Sequence, residues 1–267
     1  MYRKPGLKTT IFLILFLGIF IVDTDAENQQ KKTLTFQDVM KFKAIQNPVL
    51  SEDGLWIAYG TQPDRGDGET NIHAIKTGKV FTVERGANPV ISKSSRWVAM
   101  VVKPKAVAME KAKVKKPKQG LALLETATGK VNLFDRVERF AFSDDSTWLA
   151  YHHFKEEENP NKEEKEEKTE PEKGKKKEKN GSTLILNNLE SGEKTEIPHA
   201  LSFVFDGSSK FLTYVIAAPG GKENGLFYLG LKKEGLPKIA IAKKEKVIYT
   251  SLVWTKKGSK LAFLEID

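Results

Sequence analysis

Serine and histidine side chains are the groups through which this 267-residue chain could carry out hydrolysis. A serine nucleophile at a strand-to-helix elbow stands in a Gly-x-Ser-x-Gly pentapeptide, which does not occur in this sequence. The pairs Ser94-Ser95 and Ser208-Ser209 stand among turn residues, where hydroxyl groups commonly serve backbone hydrogen bonds. The sequence therefore predicts no catalytic residue in this chain.

Metal and cofactor sites depend on clustered ligands, chiefly cysteine, histidine and carboxylates. The chain has no cysteine, and its histidines lack the spacing to one another or to carboxylates that metal sites use. These histidines are His73, His152, His153 and His199. We expect no metal site and no cofactor, and we interpret the histidines as satisfied or exposed strand residues.

Two tripeptides have the form of recognition motifs. Arg65-Gly66-Asp67 matches an adhesion tripeptide, but its glycine-rich surroundings after Pro63 favour a simple turn. Asn180-Gly181-Ser182 fits the acceptor pattern for N-glycosylation, which matters only in a eukaryotic host.

The elements that must position these residues belong to a repeat. Residues 47–59 contain an apolar run, the turn Ser51-Glu52-Asp53-Gly54 and a second apolar run that begins at Trp56, which is a β-hairpin signature. The pattern returns at 88–100 and 139–151, and more weakly at 203–214 and 252–263. An aromatic residue recurs after the turn, as Trp56, Trp97, Trp148 and Phe211. We interpret these aromatic residues, with Asp53 and Gly54, as structural positions that pack or shape each repeat.

The spacing of the repeats predicts the fold class. The turns recur at steps of 41 to 63 residues, and a second hairpin turn, such as Thr77-Gly78-Lys79, lies between them. Repeats of this size suit four short strands each, which is the plan of a β-propeller blade. The sequence therefore predicts an all-β chain with about four and a half blades over residues 47–267, in which Pro48 and Pro89 open their strands.

The repeat resembles the propeller blades of the prolyl oligopeptidase family of serine peptidases and, more generally, TolB-like propellers. The residues that carry this resemblance are Ser51-Glu52-Asp53-Gly54, the Ala58-Tyr59 pair, the leader Leu34–Phe42 and the segment Gln62–Glu69. The resemblance extends over about residues 33–267, and the leader with the first blade looks like the start of large exported members of that family. The α/β-hydrolase domain that carries the catalytic residues of those peptidases has no counterpart here.

The resemblance implies a propeller segment that caps a hydrolase domain and limits access to small peptides, so the expected partner is a peptide substrate, reached through a missing hydrolase domain. The alternative is a stand-alone TolB-like propeller that binds or scaffolds a protein of the cell envelope. A third hypothesis is the binding of a polyanion or an acidic surface through Lys103–Lys118. Because the sequence stops after the first hairpin of its fifth repeat, we expect apolar faces exposed at Trp56 and near Trp254, and an unpaired edge at Leu261–Leu264.

The N-terminus has the pattern of a secretory signal. Basic residues precede the apolar run Ile11–Val22, and Thr24-Asp25-Ala26 then supplies a small-residue cleavage site. The sequence predicts a signal peptide over residues 1–26, a linker with one short helix over 27–46, export to the periplasm or the medium, and no stable membrane span after cleavage.

The charge of +9 and the pI of 9.3 raise the question of nucleic-acid binding. Residues 103–118 contain seven lysines against one glutamate, whereas residues 155–180 contain nine lysines against ten glutamates. Neither segment has interleaved aromatic residues that could stack on bases, so we expect no nucleic-acid partner. We expect a solvated loop at 103–118 and a disordered Glu/Lys insertion at 155–180, both between the second and third strands of a blade.

Overall fold

The computed structural model describes residues 33–156, 180–232, 235–256 and 258–266. The predicted signal peptide and most of the Glu/Lys insertion lie outside the described residues. The chain divides into two units, residues 1–39 and residues 40–267.

The described part of the first unit holds helix α1 (Phe36–Val39). Thr35 Oγ1 accepts the Asp38 N–H at 3.2 Å, while Asp38 Oδ2 accepts the Thr35 N–H at 3.2 Å and the Thr35 hydroxyl at 2.8 Å. This reciprocal cap satisfies backbone donors that a helix start otherwise leaves unpaired. The helical spacing in the sequence continues to Lys43, but the helix ends at Val39.

The described part of the second unit consists of antiparallel strands and one helix, α2 (Ala106–Lys111). The strands are β1 (Lys43–Leu50), β2 (Trp56–Pro63), β3 (Glu69–Ala74), β4 (Val80–Glu84), β5 (Gly86–Ile91), β6 (Trp97–Val102), β7 (Gly120–Glu125), β8 (Val131–Phe134), β9 (Val137–Phe142), β10 (Trp148–His153), β11 (Ser182–Asn188), β12 (Lys194–Phe205), β13 (Phe211–Ile216), β14 (Gly225–Gly230), β15 (Lys238–Lys243), β16 (Ile248–Trp254) and β17 (Leu261–Ile266). Strand β1 starts at Lys43, whereas the sequence places the first strand near Pro48.

The strands pair in chain order, which confirms the predicted incomplete β-propeller. Strands β1–β4 and β5–β8 form the first two blades, and β16 pairs with β17. Between them, β9–β15 form one seven-stranded sheet. The sheet is continuous because β12 pairs with β11 up to Ala200 and with β13 from Ala200 onward. The third and fourth blades therefore share one long strand, where the sequence suggests two separate strands.

The core lies between neighbouring blades, because alternate residues of a strand point to opposite faces of its sheet. In β6, Val98 and Met100 share a buried cluster with Ala58 of the first blade. Trp97 and Ala99, on the other face, share a cluster with residues of the third blade. This arrangement explains why strands such as β6 and β10 are apolar on both faces.

The two prolines that the sequence predicts to open strands, Pro48 and Pro89, lie inside their strands instead. Pro48 and Pro89 lie at bulges, where the pairing shifts between Gln46 and Val49 and between Ala87 and Val90. The preceding residues, Asn47 and Asn88, have positive φ values of 47° and 51°. A bulge leaves one residue out of the ladder, so the missing N–H of proline costs no hydrogen bond there. The prediction that these prolines open their strands is therefore wrong for β1 and β5.

Candidate functional site

The repeated turn of the first blade is held by a relay of two side chains. The Ser51 hydroxyl donates to Asp53 Oδ1 at 2.6 Å and accepts the Trp56 N–H at 2.9 Å. Asp53 Oδ1 also accepts the Leu55 N–H at 2.9 Å, and Gly54 takes a left-handed φ of 68°. The hydrogen bond from Ser51, followed by that from Leu55, lowers the pKa of Asp53. The residue types of this turn are thus required by its hydrogen bonds.

Later blades build the same turn, either with the same residue types or with a substitute for the serine. In the third blade, Ser143 donates to Asp145 at 2.6 Å and accepts the Trp148 N–H at 3.0 Å, as in the first. In the fourth blade, Asp206 replaces the serine and accepts the Phe211 N–H at 2.6 Å. The backbone donor after the turn therefore finds a side-chain acceptor at the same repeat position in each case.

The turns of neighbouring blades are also joined to one another. Ser146 Oγ accepts the Ser94 N–H at 3.0 Å, and Ser209 Oγ accepts the Asp145 N–H at 2.9 Å. Both serines are nearly fully buried and have positive φ values. These bonds join residues 52 and 64 positions apart, so they fix the position of one blade against the next.

Ion pairs accompany this contact between turns. Lys93 Nζ lies 2.7 Å from Asp144 Oδ2, and Lys232 pairs with Asp145. Burial alone would raise the pKa of Asp145, but hydrogen bonds from Lys232 and Ser143 outweigh it and lower that pKa. The ion pairs therefore add to the hydrogen bonds that hold the turns of neighbouring blades together.

The recurring aromatic residues pack at or beside the contacts between blades. Trp97 and Trp148 are buried in the clusters that join their blades to the following ones. Trp56 stacks on Phe81 at a centroid distance of 6.1 Å, and Phe211 stacks on Trp254 at 6.2 Å.

The expected exposure near Trp254 falls on other residues. Trp254 is half-buried and donates through Nε1 to Thr213 Oγ1 at 3.2 Å. Its neighbour Val253 is 61% exposed, and Leu264 of β17 is 58% exposed. Trp56 is likewise half-buried. Alternation along the strand explains the difference, because adjacent residues point to opposite faces.

The described residues place one serine, one histidine and one carboxylate together at the other end of the third blade. Ser182 Oγ lies 3.0 Å from His152 Nε2, and Glu138 Oε2 lies 3.4 Å from His152 Nδ1. The His152 ring is almost completely buried. These residues are 14 and 30 positions from His152, with no motif spacing that could have revealed the contact.

The hydrogen bonds around His152 show that this trio lacks a general base for Ser182. His152 Nε2 lies 2.7 Å from the Ala200 carbonyl, so Nε2 carries a proton and donates it there. The Ser182 hydroxyl donates instead to the His153 carbonyl at 2.5 Å. Burial lowers the pKa of His152, which keeps the ring neutral. The bonds of His152 and Ser182 therefore join β10, β11 and β12 rather than activating a nucleophile.

A cleft of about 680 Å³ opens beside this trio. Its lining mixes basic groups, Arg136 and Lys155 among them, with acidic groups that include Asp135 and Glu196. Arg136 and His199 both take positive φ values where the chain enters a new blade. The lining of the cleft therefore carries charges of both signs.

The two tripeptides have structural contacts. Asp67 Oδ1 accepts the Ala106 N–H at 2.7 Å, which ties the loop after β2 to the start of helix α2. The sequence interpretation missed this helix, because the lysines around it favour a solvated loop and its anchor lies 39 positions away. In the second tripeptide, Ser182 belongs to β11 and Asn180 lines the cleft.

The described residues hold neither a metal-ligand cluster nor a membrane-spanning helix. Within residues 33–156, 180–232, 235–256 and 258–266, no group of three or more ligating side chains could hold a metal ion. Over the same ranges, no helix has the length and apolar character to cross a membrane. His73, the histidine of the first blade, contacts the Tyr59 hydroxyl at 2.9 Å.

Comparison with solved structures identifies β-propeller proteins, including prolyl and acylaminoacyl peptidases and TolB. The β-propeller domain of the trilobed protease from Pyrococcus furiosus aligns with 85% of this chain and 70% of its own, at 13% identity and a TM-score of 0.43. An acylaminoacyl peptidase from Pyrococcus horikoshii aligns with 79% of this chain and 34% of its own, at 14% identity and a TM-score of 0.43. A eukaryotic initiation factor aligns with 84% of this chain and 51% of its own, at 15% identity and a TM-score of 0.50.

At these identities the likeness concerns the fold alone. No protein-family model matches the chain, and no curated protein matches it. The chain spans about a third of the length of the acylaminoacyl peptidase it resembles. It is a β-propeller module whose structural neighbours include propellers of peptidases and TolB.

Proposed function

We propose that this chain is a non-catalytic propeller segment that caps the hydrolase domain of a prolyl-oligopeptidase-like serine peptidase and controls the access of peptide substrates. The observation that carries the proposal is the exposed apolar face of strands β16 and β17. Val253, Leu264 and Ile266 are each more than half exposed there, although they belong to paired strands. Apolar side chains in such a row favour contact with a further blade or a partner domain.

Self-association of the chain tests this proposal. We expect the chain to associate in sedimentation experiments and the double variant Val253→Glu with Leu264→Glu to sediment as a smaller species. The matched control places the same charges on β8, as Val131→Glu with Leu133→Glu, where the side chains are also exposed.

The alternative function is a stand-alone TolB-like module that binds or scaffolds an envelope protein. A monodisperse wild-type monomer with one sharp unfolding transition would favour this alternative, because a complete module needs no further blade to cover its faces. If the two double variants associate equally, the association does not depend on β16 and β17. This result would count against the proposed cap function.

The absence of catalysis has its own test. We expect the chain neither to cleave prolyl peptides nor to react with a fluorophosphonate probe. His152 Nε2 donates its proton to the Ala200 carbonyl and therefore cannot act as a base for Ser182. Stoichiometric labelling that Ser182→Ala abolishes would overturn the non-catalytic assignment.

Export completes the proposal. The signal pattern of residues 1–26 supports a periplasmic or secreted protein. Sequencing of the mature N-terminus from an exporting host should give Glu27 as the first residue, and an unprocessed Met1 in the soluble cell fraction would contradict export.

A further inference from the structure

The segment Lys103–Lys118, here called the lysine loop, is strongly basic. It joins β6 to β7 and includes helix α2. It contains seven lysines against the single acidic residue Glu110. Among the described residues, no carboxylate lies within ion-pair distance of Lys103, Lys105, Lys111, Lys113 or Lys116. The charge of these lysines is therefore uncompensated by ion pairs there.

Both ends of the lysine loop are held by contacts with neighbouring segments. Asp67 holds the start of α2 through the Ala106 N–H, and Arg85 Nη1 donates to the Lys103 carbonyl at 3.0 Å. At the other end of the loop, the Lys118 ammonium lies 5.3 Å from the centre of the Phe154 ring. These contacts attach both ends of the loop to neighbouring blades and leave its middle in solvent.

Apolar side chains stand among the lysines. Val114 is 90% exposed, Val107 is 58% exposed, and Met109 is also exposed. In a loop that is only solvated, such exposed apolar side chains would make no favourable contact. Surfaces that bind the bilayer interface combine both types, because the lysines attract anionic headgroups and the apolar side chains enter the boundary of the acyl chains.

Other anionic partners fit this surface less well. Single-stranded nucleic acids bind to surfaces with aromatic side chains on which the bases stack, and the lysine loop has none. An acidic polypeptide would pair with the lysines but would leave Val107 and Val114 in water. We propose that the lysine loop binds bilayers that contain anionic phospholipids, with Val107 and Val114 at the interface.

A fluorescent label at Val114 tests the proposal in the full chain. The protein has no cysteine, so Val114→Cys gives a single site for an environment-sensitive fluorophore. We expect a blue-shifted emission with vesicles of phosphatidylcholine plus phosphatidylglycerol, and no shift with phosphatidylcholine alone. Because surface charges are screened by salt, the shift should diminish between about 0.05 M and about 0.5 M NaCl. A label at Ala127→Cys, in an exposed turn at the opposite end of the blade, should not shift.

Charge variants on the labelled background complete the test. The triple variant Lys105→Gln, Lys111→Gln and Lys113→Gln should weaken the vesicle-dependent shift at least about tenfold in apparent affinity. The matched triple variant Lys76→Gln, Lys130→Gln and Lys210→Gln removes equal charge from exposed turns and should leave the shift unchanged. Because the fluorophore is attached at position 114, its emission reports contact of the lysine loop with the bilayer and not binding through the apolar N-terminal run.

Three results would overturn the proposal. The first is an equal shift with neutral and anionic vesicles. The second is an equal loss in the two triple variants, which would make the effect one of net charge. The third is a shift with poly-glutamate in the absence of any shift with anionic vesicles, which would assign the lysine loop to an acidic polypeptide.

Discussion

The two ends of the blades are built on different principles. At the turn end, residues 51–54, 92–95, 143–146 and 206–209 repeat one hydrogen-bonded design, and buried serines join the turns of the second, third and fourth blades in sequence. At the loop end, the connections between second and third strands differ in length, charge and secondary structure from blade to blade. Repetition at the turn end indicates a scaffold, whereas variation at the loop end leaves room for binding functions.

The largest expected effect on stability concerns the core next to the turn end. Trp97→Ala should destabilise the protein by about 3 to 5 kcal/mol, because it removes a large buried side chain between blades. The control Val107→Ala, at the loop end, should change the free energy of unfolding by less than about 0.5 kcal/mol. Urea unfolding of both variants makes the measurement, and equal midpoints would refute the assignment of Trp97 to the core.

A smaller effect concerns the turn itself. Ser143→Ala should cost about 1 to 3 kcal/mol, because the buried Trp148 N–H loses its side-chain partner. Ser191→Ala removes the same hydroxyl from an exposed second turn, where it accepts the Glu193 N–H at 3.2 Å, and should cost much less. If the two variants unfold at the same urea concentration, the repeated turns contribute no more stability than the exposed ones.

The third prediction concerns pH and the buried histidine of the loop end. The pKa of His152 in the folded protein lies below its ordinary value of 6.5, mainly because of burial, with Arg139 and His153 acting in the same direction and the Ala200 carbonyl and Glu138 opposing. The unfolded chain therefore takes up the proton first as the pH falls. The stabilising contribution is present above about pH 6.5 and is lost below it as the pH approaches the folded-state pKa.

Urea midpoints measured at about pH 7.5 and about pH 5.5 test this sign. We expect the wild type to lose more stability over this interval than His152→Gln, in which the other histidines remain. A steeper loss in His152→Gln would mean that the folded protein favours the charged ring, through Glu138 at 3.4 Å.

The smallest expected effect lies in the lysine loop. The triple variant Lys105→Gln, Lys111→Gln and Lys113→Gln should leave the free energy of unfolding within about 0.5 kcal/mol of the wild type, because its side chains are exposed. A large loss of stability would show that the lysine loop also stabilises the fold. The two ends of the blades would then not differ in this respect.

Sequence patterns predict most of the turn end. The Ser-x-Asp-Gly turn and the aromatic residue after it are local features, since each hydrogen bond joins residues at most five positions apart. The apolar character of both strand faces likewise indicates blades that are covered on both sides. Such signals lie within one hairpin, so they can be recognised without knowledge of the rest of the fold.

The loop end could be predicted far less well. The anchor between Asp67 and helix α2 and the contact of His152 with Ser182 join residues 30 or more positions apart. The same is true, at the turn end, of the hydrogen bonds that Ser146 and Ser209 accept from preceding blades. No local spacing encodes these contacts, because they arise only when neighbouring blades or strands have packed together.

The repeat, its turns and the two-sided apolar strands can therefore be predicted from the sequence, because hydrogen bonds within a hairpin and the alternation along a strand are local properties. Tertiary structure alone decided the bulges at Pro48 and Pro89, the shared strand β12, the tautomer of His152 and the exposure of Val253 rather than Trp254. Each of these depends on which face or carbonyl of another strand lies opposite, and packing supplies that information.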